Sequence, residues 1–309
     1  MKKTGVLIIT LVLVSLLAFL AFQIIPGDPT TKLLGTEYTP ERAEALREEL
    51  GLNRPVFVRY WDWLSGFVTG DMGASYSYAM DVRDVLQGKV AVTAALAVIS
   101  WIIVVGISIP LGIAMARYQN GRFDRTGVAM NQVFMAIPSF FIGILFTYIF
   151  GLVLKWFVPG KFIPFSESFF GCIGYLVFPA LAISIPKIAK VAKLLRSSIL
   201  HEMSLDYVRT AYSHGNSRWM VIENHVLRNA LLPVVTYLAM SLADIVASSI
   251  IVEQVFALPG LGRLLVSSIA NRDFPVALCI VVIIAFVVVF MNYLADVVTQ
   301  YIDPRVRLD

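Results

Sequence analysis

Asp206-Tyr-Val-Arg-Thr-Ala-Tyr-Ser-His-Gly215, continued by His225-Val-Leu-Arg-Asn-Ala-Leu-Leu-Pro233, is the longest charged passage in the C-terminal half of the chain. An apolar segment suited to a membrane lies on either side of it. Arg209, Arg218 and Arg228 make it basic, and Tyr207, Val208, Trp219 and Met220 stud it with apolar side chains. Gly215 predicts a break between two short helices, because glycine ends a helix without the steric penalty of a Cβ. Pro233 predicts the start of the next membrane helix, where a missing N–H costs nothing. A helix–glycine–helix element protruding from a bilayer follows. Two readings fit it: an amphipathic loop lying on the membrane, or a docking element for a soluble partner.

Composition supports the bilayer. The chain of 309 residues is 58% hydrophobic and 15% charged, against roughly 25% charged in soluble domains. Its mean hydropathy is +0.77. The net charge of +4 does not call for nucleic acid, since membrane proteins gather Lys and Arg on the cytoplasmic face. Cys172 and Cys279 lie in or beside apolar runs, with no metal-type spacing, and read as packing residues.

The sequence then divides into six spans. Gly5 to Ile25 is the first, read as a retained helix rather than a signal peptide, because no small-x-small cleavage site closes it. Lys2 and Lys3 hold its N-terminus inside. Residues 27–89 form a polar insertion with ten acids against seven bases, as expected of the outer face. In it, Thr39-Pro40-Glu41 predicts a helix start, running to Leu50 and stopping at Gly51. The charges of the insertion read as solvated. The further spans are 90–116, 128–154, 171–185, 232–252 and 275–295. Pro138, in Ala136-Ile-Pro-Ser-Phe-Phe141, kinks the third, and a kinked helix can line a pathway or serve packing. The fourth is short for a bilayer and would borrow residues from its flanks. The loop 187–231 carries seven bases against three acids and belongs inside. The expected fold is therefore all-α: a polytopic membrane protein with six transmembrane helices and both termini inside. Its first helix ends at 26, a small extracytoplasmic insertion fills 27–89, and a five-helix core fills 90–309.

Familiar chemistry is missing. No P-loop occurs, and His201-Glu202 has Leu205 where a zinc-protease helix needs its second histidine. No Gly-x-Ser-x-Gly occurs. Neither a catalytic set nor a metal or cofactor site is expected. Asp244, inside the fifth span, is the polar candidate within the bilayer, where a carboxylate is costly. It would relay protons, bind a cation, or pair with a donor on another helix. A membrane chain with a protruding inner loop and no energy-coupling chemistry points to a partner that supplies the energy.

The stretch quoted first resembles the cytoplasmic loop of binding-protein-dependent ABC importer permeases of the dipeptide, oligopeptide and nickel family. The matching residues are Asp206-Tyr-Val-Arg-Thr-Ala211, Gly215, and Leu227-Arg-Asn-Ala-Leu-Leu-Pro233. Such families carry Glu-Ala-Ala-x-x-x-Gly; here the first three positions are Arg209, Thr210 and Ala211, as in the peptide branch, and Gly215 is retained. His214 and Tyr212-Ser213 depart from the common filling. Gly51-Leu-Asn-Arg-Pro55, Gly70-Asp-Met-Gly-Ala-Ser75, Ala136-Ile-Pro-Ser-Phe140, Glu253 to Gly262, Asn271-Arg-Asp-Phe-Pro275 and Asp303-Pro-Arg-Val-Arg307 extend the likeness in order along the chain.

The resemblance implies a permease in the bacterial inner membrane. It would pair with a second, homologous permease and be driven by two cytoplasmic ATPase subunits. An extracytoplasmic binding protein would deliver the substrate. Tyr207, Arg209, Thr210, Ala211 and Gly215 would dock an ATPase, and Pro138, Ser139 and Asp244 would line the pathway. Di- or oligopeptides come first as substrate, then nickel or a metal chelate, or glutathione. The rivals are an ion-coupled secondary transporter using Asp244, and a membrane-embedded enzyme. No internal repeat supports the first rival, and no catalytic set supports the second.

Overall fold

The computed structural model describes residues 2–24 and 29–302. The expected C-terminal ending, Asp303 to Arg307, lies outside the described residues, as do the side chains of Lys2 and Lys3. The described residues form helices and connecting turns, with an isolated bridge between Ala74 and Asp81. Among the described residues five helices are long and apolar enough to cross a membrane, and a bent pair, taken as one span, raises the number to six. The chain is thus an all-α, polytopic membrane protein.

Two compact units share the chain, Met1–Thr93 with Pro259–Val289 and Ala94–Leu258 with Phe290–Asp309. The first contains α1 (Lys2–Ile24), α2 (Pro29–Leu34), α3 (Pro40–Glu49), α4 (Val56–Thr69) and α5 (Val82–Leu86). It also holds the first residues of α6 (Lys89–Arg117), all of α14 (Leu261–Asn271) and the first half of α15 (Phe274–Ile302). Helix α3 begins as its sequence dictates: the Thr39 hydroxyl accepts the Arg42 N–H, Pro40 occupies the first turn, and Gly51 follows at φ +65°.

The insertion is not all solvated. Tyr60 of α4 reaches Ser15 of α1 (2.9 Å) and donates to the Val12 carbonyl (3.2 Å), while Arg59 donates to Gln23 (3.1 Å). Phe19, Phe22, Tyr60, Leu278 and Val282 close a common core. Helix α4 therefore lies along the first span, because its aromatic face has more to bury than the polar insertion around it. Arg42 with Glu37 and Arg54 with Asp62 form exposed pairs, as expected of the insertion. Arg59 differs: it is partly buried, and desolvation lowers its pKa, partly offset by Tyr76. The loop 75–77 is tied to the head of α15 by the fully buried Asp273. Its carboxylate accepts from the Ser75 hydroxyl (2.5 Å) and the N–H groups of Tyr76 (3.1 Å) and Ser77 (3.2 Å).

The second unit holds the rest of α6, then α7 (Arg122–Ala136), α8 (Ser139–Phe146) and a π-helical turn, Thr147–Val153. Next come α9 (Phe169–Glu202), α10 (Asp206–Ser213), α11 (Arg218–Val221), a second π-helical turn, Ile222–Val226, α12 (Leu227–Ala230) and α13 (Leu232–Val255). Here two expectations change. The third span starts earlier, at Arg122, and is not merely kinked: its two halves meet at 95°. Pro138 forces Ile137 out of the helical region to φ −86°, ψ 123°. The fourth span borrows residues from its flanks, as its short apolar run requires, and reaches much further than 185. Helix α9 runs through Pro179 and Pro186 for 34 residues, about 50 Å at 1.5 Å per residue, well beyond a hydrocarbon core of about 30 Å. The cause is an apolar stripe, Ile188, Val191, Leu195 and Ile199, that continues past Pro186 and is buried. A proline deletes one backbone bond, and burial of four aliphatic side chains outweighs that loss. Residues 187–202 of the expected inner loop are therefore helix. Cys172 and Cys279 are buried free thiols.

Candidate functional site

Helix α10 is eight residues long, too short to hold together alone in water. Its position comes from its inner face. Val208 is 1% exposed and Ala211 7%. Both enter an apolar cluster with Leu195 and Ile199 of α9, Val104 and Ala116 of α6, Val221, Ile222, Val226 and Ala230, and Val234 and Leu238 of α13. Three membrane helices thus share one core with the short helix.

Local hydrogen bonds fix its ends. The Tyr207 hydroxyl donates to the Glu202 carboxylate at 2.7 Å. Burial first, then this bond, raises the Tyr207 pKa. At the far end Asn216 donates to the Ala211 carbonyl (3.0 Å), and the Gly215 N–H donates to Tyr212 (2.9 Å). Gly215 sits at φ +80°, with open space where a Cβ would be. The break between two helices therefore falls where the sequence predicts it. Ser217 caps α11 by accepting the Met220 N–H, and Pro233 lies in the first turn of α13.

The other face is open. Tyr207, Arg209, Thr210, Tyr212 and Gly215 are exposed. The Arg209 side chain is 82% exposed, and its 3.3 Å pair with Asp206 is a surface contact of little energetic weight. Of the five residues expected to dock a partner, four are presented outward, and the Ala211 methyl points into the core. Tyr207 and Ala211 do not present a common outer face. The short helix is polar and aromatic on its outer face and packs inward on residues of three spans.

The expected pathway residues lie elsewhere in this unit. Pro138 and Ser139 begin α8, which packs against α9 and α13. Asp244 is exposed on α13, on one stripe with Met240, Ala247 and Ile251. No hydrogen bond joins Ser139 to Asp244 among the described residues. Lys187, expected at the start of the inner loop, lies within α9, which packs against the α13 helix that carries Asp244. The sequence reading missed an ion pair 72 residues apart in sequence: Arg196 donates to both oxygens of the buried Asp124 (2.5 and 2.8 Å), fastening α9 to the start of α7. The rise of basic residues in 187–196 was its only trace. Among the described residues no three His, Cys, Asp or Glu side chains converge as metal ligands would.

Comparisons with known proteins follow the same outline. Residues 108–308 match the family described as binding-protein-dependent transport system inner membrane component, and residues 1–97 match its N-terminal companion. The oligopeptide transport system permease protein AppB of Bacillus subtilis is 32% identical over 309 residues, covering 99% of this chain and 98% of AppB. The glutathione transport system permease protein GsiC of Salmonella choleraesuis is 32% identical over 307 residues, covering 99% and 98%. A Brucella abortus protein named for peptide transport is 34% identical over 309 residues, covering 100% and 98%.

Proposed function

This chain belongs to the family of inner-membrane components of binding-protein-dependent transport systems, and we propose that it is the permease subunit of an ATP-driven importer of di- or oligopeptides. The observation that carries the reading is α10, a short helix with an outward face and an inner face rooted in three spans. Such a helix seats in a groove on a separate cytoplasmic ATPase. Tyr207, Arg209 and Thr210 make the contact, Ala211 lets the helix approach the core, and Gly215 turns the chain away. Closure of two ATPase subunits on ATP then moves the spans as rigid bodies between two states.

A second, homologous permease completes the translocation pathway, and an extracytoplasmic binding protein delivers the peptide. The basic inner loops support cytoplasmic termini. Asp244 supports the pathway's position: a carboxylate exposed midway along a 24-residue apolar helix does not face lipid without a large cost. It faces water or another chain. The break at Pro138, at the head of a helix packed against α9 and α13, supports the same position. The names of the relatives, peptide, oligopeptide and glutathione, support a peptide substrate.

The test is the ATPase activity of the purified complex in lipid, with a binding protein loaded with peptides or with nickel. Stimulation by the peptide-loaded protein, lost in Gly215→Pro, is expected. Stimulation by the nickel-loaded protein alone changes the substrate. Transport on an ion gradient with no ATPase present refutes the proposal.

A further inference from the structure

Helix α10 joins α9 directly through residues 203–205 and the Tyr207–Glu202 bond. Its connection to α6 is different in kind. The four-residue α11, which follows the Gly215 turn, meets the last turn of α6. The Arg117 guanidinium stands 4.6 Å from the centre of the Trp219 ring. Arg218 donates to Gln119 (2.8 Å) and to the Ala116 carbonyl (3.4 Å). That carbonyl, which also accepts the Gln119 N–H (3.4 Å), belongs to the end of a helix, where the dipole favours a cation.

The turn that receives these contacts is itself closed by hydrogen bonds. The Gly121 N–H donates to Tyr118 (2.9 Å), and the Asn120 N–H donates to Asp124 (2.9 Å), which Arg196 holds. Ala116 at the end of α6 also belongs to the apolar cluster that receives Val208, Ala211 and Val221. Apolar contact is non-directional and lets helices slide. The hydrogen bonds and the stacked guanidinium are directional.

We propose that Arg117, Arg218 and Trp219 form a brace that makes α6 follow the coupling helix, so that one ATPase stroke moves two spans together. They are positioning residues for transport. The inference rests on the coupling role proposed for α10. Arg117, Gln119, Arg218 and Trp219 are all exposed, so truncating them removes no core.

The experiment uses the complete importer, with its partner permease, both ATPases and the binding protein, in lipid vesicles. ATP hydrolysed and peptide taken up are measured together. In Trp219→Ala the ATPase rate is expected to hold while peptide per ATP falls about twofold to fivefold, the equilibrium factor of an exposed contact of this class. Trp219→Phe, which keeps a ring, restores most of the ratio. If Trp219→Ala fails to assemble, Gln119→Ala with Arg218→Gln must lower the same ratio. An unchanged ratio overturns the brace. So does a parallel fall in ATPase and uptake, which would make Trp219 an ATPase contact. Uptake by the wild type without bound ATPase refutes the coupling reading first, and the brace with it.

Discussion

Val208→Ala tests whether α10 is held by its inner face. The Val208 side chain is fully buried in the shared cluster. Removing its two methyl groups loses about 1.6 kcal/mol of transfer free energy, at about 0.8 per buried carbon. A residual cavity adds to this, for a total of about 2 kcal/mol. The helix is too short to survive detached, so the loss falls on its local docking equilibrium rather than on the whole unit. At 1.4 kcal/mol per factor of ten, the detached state becomes about 30-fold more populated. Amide hydrogen exchange of the protein in lipid reads this directly. Amides of 210–215 should exchange about 30-fold faster, while those of Val191 to Ile199 on α9 stay unchanged. Thr210→Ala, on the outer face, should change neither. Equal acceleration along α9, or no acceleration in α10, would refute the claim that burial of Val208 positions this helix.

Other substitutions have comparably defined outcomes. Gly215→Ala meets no clash but must hold a left-handed φ, costing about 1–2 kcal/mol; Gly215→Asn should cost less, and thermal unfolding in detergent should order them so. Arg196→Met leaves the buried Asp124 without its partner and should destabilise by about 3–5 kcal/mol, with much of it recovered by adding Asp124→Asn; an additive double variant would rule out a coupled pair. Asp244→Leu should slow peptide uptake in vesicles and leave ATPase binding intact, since the residue is exposed on α13 away from α10; loss of ATPase binding would contradict that separation.

The candidate site was legible in part. The i, i+3 placement of Val208 and Ala211 was present in the sequence, but nothing local said which face of so short a helix would be covered. Ala211 could serve a partner or the core, and the packing of α6, α9 and α13 around it decided for the core. Likewise, Lys187 reads as a loop charge in the sequence, and the continuation of α9 past Pro186 makes it a helix residue.

By itself the sequence determined the all-α class, the apolar spans, the cap at Thr39 and the turn at Gly215. Each follows from a local cause: some 20 apolar residues span a bilayer, a hydroxyl caps a helix start, and only glycine turns left-handed without strain. Tertiary structure alone decided that α9 runs through Pro186, that α4 lies along α1, and that Arg196 meets Asp124. These depend on which surfaces meet across tens to hundreds of residues. Burial and charge pairing are settled by proximity in space, which no local pattern encodes.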